Sequence, residues 1–166
     1  MLNVLLWLPL AVALVAVLLP RRAVAPFSFL GSLVTLALAI ALVVDFDSSI
    51  PGLQHEVSES WIPDLGISYA LGVDGISLFL VLLTALLWSA SFAFAAFRQP
   101  ERRRNYFFML GLAETATLGA FLAQDLVLFV LFFDLMLVPF FFLIGAYGTG
   151  NRVQATIKMM IYTLVG

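Results

Sequence analysis

The chain has 166 residues, of which 63% are hydrophobic and 11% charged, with a mean hydropathy of +1.11 and a formal net charge of −2. Such a composition belongs to a polytopic membrane protein rather than to a soluble core. With no cysteine there is no disulfide framework, no thiolate metal site and no iron–sulfur cluster, so electron transfer by this chain alone is not expected.

Apolar runs of about 17–25 residues are the unit of a spanning helix. The first, Leu2–Leu19, ends near Ala23-Val24-Ala25, which has the look of a signal-peptide cleavage site. Arg21-Arg22 follow that run instead of preceding it, and Pro26 sits just after the would-be cut, so the segment reads as a retained helix. A short basic turn, Pro20–Pro26, leads to the second run, Phe27–Val44. The acidic loop 45–75 follows, carrying Asp45, Asp47, Glu56, Glu59, Asp64 and Asp74 together with the only histidine, His55, which is expected to be solvated. Asp74 precedes the third run, Ile76–Phe97, and is placed to cap its first turn.

A second basic turn, Arg98–Asn105, precedes the fourth run, Tyr106–Leu122, and the tight link Ala123-Gln124-Asp125 precedes the fifth, Leu126–Tyr147. The string Gly145–Gly150 superficially resembles a phosphate-binding loop, but no strand precedes it, and it reads as a helix end and turn. A sixth run begins after Arg152 and reaches about 20 Å by Gly166, short of a hydrocarbon core of roughly 30 Å. Trp61, Tyr69 and Tyr106 read as interfacial aromatics. The predicted fold is all-α: a polytopic transmembrane helix bundle of five complete spans plus the start of a sixth.

Orientation follows from the short loops. Arg21, Arg22, Arg98, Arg102, Arg103, Arg104 and Arg152 fall in alternate connections on one side, with Lys158 near the same face, and the other side has no Lys or Arg. The positive-inside rule then places the amino terminus and the acidic loop outside.

Three ionisable residues lie within the apolar runs. Asp134 sits near the middle of Leu126–Tyr147, where an acid costs about 2.5–3.5 kcal/mol and the surrounding Leu, Phe, Val and Ile still outweigh it. Pro139 lacks an N–H and frees the Leu135 carbonyl beside that acid, which predicts a helix kink and a hydrated polar pocket. Intramembrane acids read by default as functional, and the competing reading is an acid that pairs with another helix for assembly. Glu114 borders a stripe of Gly111, Thr115 and Gly119 that permits close helix approach, so it is expected to face protein, either in ion movement or hydrogen-bonded to a Thr or a carbonyl. Lys158, about 9 Å along the helix from Arg152, either snorkels to the headgroups or turns inward as a proton carrier.

Three strings, LGISYALGVDGIS (residues 65–77), FLAQDLVLFVLFFDLMLVPFFFLIGAYG (residues 121–148) and IKMMIYTLVG (residues 157–166), together resemble a known family. It is the chain M (subunit 4) antiporter-like membrane subunit of proton-translocating NADH:quinone oxidoreductase, respiratory complex I, in its N-terminal portion only. The GVDGIS string is shared with related antiporter-like subunits, and the middle string, with acid, Leu and Pro in register, is the specific one. The resemblance implies a fourteen-helix subunit in which two inverted five-helix repeats each form half of a proton channel. It puts the family's key helix-five carboxylate on Asp134, where the family usually has Glu, and pairs that acid with a lysine on helix seven, beyond this chain. Lys158 matches a lysine often present on helix six, and Glu114 a position that only some members fill with an acid.

The resemblance further implies a division into 1–104, a three-helix transmembrane region with its acidic outer loop, and 105–166, the start of a truncated proton-translocating module. It implies coupling of NADH-to-quinone electron transfer to proton pumping, with proton translocation through Asp134, Glu114 and Lys158 and no redox chemistry in this chain. No cofactor is expected here, NADH, FMN, iron–sulfur clusters and quinone being expected on partner subunits. The expected partners are the other membrane-arm subunits and the bilayer, with no nucleic acid, and the expected location is the bacterial inner membrane. The alternatives are a subunit of a multisubunit cation/proton antiporter or membrane-bound hydrogenase, and a structural membrane fragment without transport. On its own the truncated chain is not expected to translocate protons.

Overall fold

The computed structural model describes residues 1–49, 52–98 and 103–165. Arg102 and Gly166 lie outside the described residues. Among the described residues six α-helices account for most of the chain: α1 (Leu2–Leu18), α2 (Arg21–Asp45), α3 (Gly75–Arg98), α4 (Arg103–Leu122), α5 (Leu126–Tyr147) and α6 (Arg152–Val165). By length and composition α2, α3 and α5 can each cross a membrane, whereas α1 has only 17 residues. α4 has 20 residues but is diluted by its arginines and by Glu114.

The expected basic turn Pro20–Pro26 is mostly helix. Pro20 takes the extended conformation just before α2, with φ −60° and ψ 145°, and the helix begins at Arg21. Pro26 lies inside the helix in its second turn, where it leaves the Arg22 carbonyl without its usual backbone donor.

The acidic loop departs from the all-α expectation. It contains an antiparallel hairpin, β1 (Gln54–Ile62) and β2 (Ile67–Val73), joined by a short 3₁₀ turn at Pro63–Leu65. Pro63 opens the turn, and Gly66 closes it at φ 67°, a left-handed conformation that glycine adopts without steric cost. Val57 faces Leu71 and Glu59 faces Tyr69, with register irregularities between Gln54 and Val57 and between Ser60 and Ile62. His55, at φ 57° inside the first irregularity, is half-buried and places Nε2 3.4 Å from Asp45 Oδ2, so the solvated side chain expected there is instead an ion-pair candidate.

The helices pack so that α4 lies between α1 and α5, α2 pairs with α3, and α6 rests on α5. Gly111 and Gly119 make the central approaches: a Cβ on Gly111 would lie 2.6 Å from Ala13 Cβ of α1, and one on Gly119 would run into the Phe132 ring of α5. Two apolar clusters fill the bundle. One, at the hairpin end, joins Leu2, Leu5 and Leu6 to Leu71, Val73, Leu118, Leu122 and Phe132. The other, at the arginine end, joins Ala16, Val24, Phe92, Phe107 and Leu110. Arg104 closes that end by donating from Nε and a terminal nitrogen to the Leu19 carbonyl, at 3.1 and 2.8 Å. Arg152 donates to the Ala146 carbonyl at 2.9 Å. Both cations thus sit at helix carboxyl ends, where the dipole favours positive charge.

Candidate functional site: acids within the helix bundle

The three ionisable residues of the apolar runs are not brought together. Asp134 projects from the exposed side of α5, among Val130, Leu131 and Val138, and has no hydrogen bond or ion pair among the described residues. Pro139 is buried one turn further along, and α5 continues through it to Tyr147. The enclosed polar pocket expected around Asp134 is therefore not formed by this chain alone. Lys158 is likewise exposed on α6, next to exposed Ile157 and Ile161, without a partner among the described residues.

Glu114 is the opposite case. It is 1% exposed, on the α4 face turned toward α1 and α2. It borders a narrow void with Ser28 and Ser32 of α2, Phe92 of α3, and Pro9 and Ala13 of α1. Its Oε1 has no hydrogen-bond partner among the described residues, nor has the Ser28 hydroxyl. The neighbouring hydroxyls are satisfied: Ser32 donates to Phe29 O at 2.8 Å, Ser89 to Ser32 O at 3.0 Å and Thr115 to Gly111 O at 2.9 Å.

At the hairpin end, the link between α4 and α5 is a structural junction that the sequence reading passed over. Asp125 caps α5 by accepting from Val127 N at 2.8 Å and Leu128 N at 3.2 Å, while its other oxygen accepts from Ser68 N of β2 at 3.1 Å. Gln124 N donates to Ala70 O at 2.9 Å and its side-chain amide to Gly72 O at 3.1 Å. Tyr69 ties the same strand to α1, donating to Asn3 Oδ1 at 2.9 Å and accepting from Trp7 Nε1 at 3.1 Å. An N-cap aspartate directly before an apolar run was the available signal for Asp125. Beneath the hairpin, an open groove of about 410 Å³ is lined by Trp7, Trp61, Tyr69, Glu59, Leu131 and Phe132, and holds none of the three intramembrane ionisable residues.

Asp74 accepts from Ser77 N at 2.7 Å and Ile76 N at 3.1 Å, and its own N–H donates to Ser77 Oγ at 2.9 Å, a reciprocal cap at the start of α3. Hydrogen bonds from the Ser77 backbone and hydroxyl hold the Asp74 carboxyl below its ordinary value. The backbone N–H groups of Ser68 and Leu128 do the same for Asp125. In both, donated hydrogen bonds favour the ionised form.

Comparison with known proteins places this geometry. Residues 123–166, covering α5 and α6, match the family described as NADH:quinone oxidoreductase/Mrp antiporter, transmembrane. Subunit M of the F(420)H(2) dehydrogenase of Methanosarcina mazei is 37% identical over 98% of this chain and 33% of its own length. NADH-quinone oxidoreductase subunit M of Rhodobacter capsulatus is 35% identical over all of this chain and 33% of its own length. The chain resembles a portion of these antiporter-like M subunits. It spans about a third of the length of these relatives. The solved structure of respiratory complex I from Thermus thermophilus with bound NADH contains a chain that superposes with a TM-score of 0.85 at 29% identity, over 99% of this chain and 33% of that one. That coverage includes the hairpin segment as well as the helices.

Proposed function

We propose that the chain is part of a proton-translocating membrane-arm subunit of an NADH:quinone oxidoreductase, in which α1 to α5 cross the membrane, α6 begins a sixth span, and the amino terminus and hairpin face outward. The location proposed is a bacterial inner membrane. The observation that carries the reading is Asp134, an acid on the exposed side of an apolar spanning helix, within the segment that matches the family. Intramembrane acids face a bundle interior or a water-filled path. The Asp134 side of α5 is therefore the side that the rest of the protein covers, and Asp134 is the charge that tunes a neighbouring carrier there.

Lys158 on α6 and Glu114 on α4 are the further proton-translocation residues of this reading, with Pro139 shaping α5 beside the acid. Residues 1–104 form the N-terminal three-helix transmembrane region with its acidic outer loop, and 105–166 the start of the translocating module. Partner subunits handle NADH, flavin, iron–sulfur clusters and quinone. Subunit M of the Methanosarcina mazei dehydrogenase supports a second electron donor for the same transport module, F(420)H(2) in place of NADH. The family description, which spans Mrp antiporters, supports a cation/proton antiporter as the alternative machine.

The test is Asp134→Asn in the intact complex carrying this sequence, which removes the charge and keeps most of the shape. Proton pumping per electron is expected to fall strongly, whereas Asp134→Glu retains it. Normal coupled pumping in the Asn variant would overturn the assignment. Sodium-dependent transport without any electron donor would select the antiporter.

A further inference from the structure

Between the two apolar clusters of the bundle lies a layer of buried polar side chains: Ser28, Ser32, Thr35, Ser89, Glu114 and Thr115. Four of their hydroxyls bond to backbone carbonyls of the helices: Ser32, Thr35, Ser89 and Thr115. The two that do not are Ser28, 1% exposed, and Glu114, also 1% exposed, and each has an oxygen without a hydrogen-bond partner among the described residues. Both border the same void, from opposite helices. Buried polar groups of this kind are nearly always paired, so two orphans facing one gap need a common explanation.

We infer that Glu114 and Ser28 form a proton-holding pair at the centre of the helix bundle α1–α4, a site separate from the Asp134 side of α5. The void is too narrow for a water molecule, so solvent does not bridge the two groups, and a direct hydrogen bond between them is the contact left that would satisfy both. Its remaining lining, from α1, α2, α3 and α4, is Pro9, Val12, Ala13, Ser32, Phe92, Phe107 and Gly111. None of these is titratable, and among the described residues no Lys, Arg or His of the four helices lines the void. An uncompensated charge is costly in such a place, so the proton stays with the pair. A carboxylic acid supplies one O–H donor with acceptor capacity left over, and a serine hydroxyl both donates and accepts. The proton therefore sits on the Glu114 carboxyl and is donated to Ser28 Oγ, which makes Ser28 a positioning residue for the acid.

A role for this pair in transport rests on the proposed function, but the pair itself is tested without turnover. The measurement is the infrared spectrum of the resting protein, in its native membrane assembly, with ¹³C label on glutamate side chains so that Asp134 does not contribute. A carboxylic-acid carbonyl band sensitive to the label is expected, and Glu114→Gln should remove it. Ser28→Ala should keep the band but move it to higher frequency, because a hydrogen bond to the acid is lost, and Ser28→Thr should restore its position. Absence of any such band removable by Glu114→Gln would overturn the proton-holding site. A band indifferent to Ser28→Ala, in protein that still assembles, would overturn the pairing. Neither result bears on the pumping test of Asp134, and failure of that test leaves these bands as expected.

Discussion

Gly111 offers the sharpest test of how the bundle is held, because its neighbours across the interface cannot give way. Gly111→Ala would place a methyl 2.6 Å from the Ala13 Cβ and 3.0 Å from the Pro9 carbonyl oxygen, both fixed to the α1 backbone. Carbon atoms pack at about 3.5–4.0 Å, so α1 and α4 must separate by about 1 Å locally. The adjoining void does not absorb the methyl, since it is too narrow even for water. Overpacking of this kind costs about 1–3 kcal/mol. The assay is thermal or denaturant stability of the membrane-embedded protein, read by retention of native assembly, with Ala13→Gly as the second arm of a double-mutant cycle. Ala13→Gly alone costs about 1 kcal/mol from helix propensity, yet in the Gly111→Ala background it should recover part of the loss, the remainder reporting the Pro9 carbonyl. Unchanged stability in Gly111→Ala, or strictly additive effects of the two changes, would refute close packing of α1 on α4 at this point.

Three other outcomes follow from the geometry. Cysteines placed at Ser48 and at Thr149 should label from opposite sides of the membrane, Ser48 from outside; labelling from one side would contradict the five-span topology. Tyr69→Phe removes the hydroxyl that joins Asn3 and Trp7 to the hairpin, at a cost of about 0.5–1.5 kcal/mol per bond, and should raise protease sensitivity of the hairpin without changing helix content. Asp74 and Asp125 titrate below their ordinary value of 3.8 in the fold, so their stabilisation is fully present above that value and is lost as pH falls through their lower folded values. Tryptophan fluorescence should therefore report loosening of the hairpin on strong acidification, and Asp125→Asn should reduce the acid-dependent part; an identical acid transition in that variant would count against Asp125 as the strap.

The helical segments were legible because apolar runs longer than a soluble helix needs leave few alternatives, and α5 begins and ends where its sequence does, at Leu126 and Tyr147. The hairpin was hidden by its acidity. Its strand residues, Val57 against Leu71 and Glu59 against Tyr69, carry a period of two that a reading for charge overlooks, and its stability comes from partners remote in sequence such as Asp125 and Asn3. The small-residue stripe of α4 correctly announced a buried Glu114, but nothing in the sequence of α2 singles out Ser28 from Ser32, since only the packing shows which hydroxyl is already engaged. Asp134 shows the reverse limit. Its depth in an apolar helix and its place in the family segment were readable at once, while its surroundings are not supplied by this chain, because the α5 side that bears it is exposed. The two acids therefore divide the bundle by what satisfies them. Glu114 is enclosed by α1 to α4 and shares its void with Ser28 of this chain, whereas Asp134 faces outward on a side of α5 that the described residues leave uncovered. Perturbing α1 or α2 should accordingly reach Glu114 before it reaches Asp134.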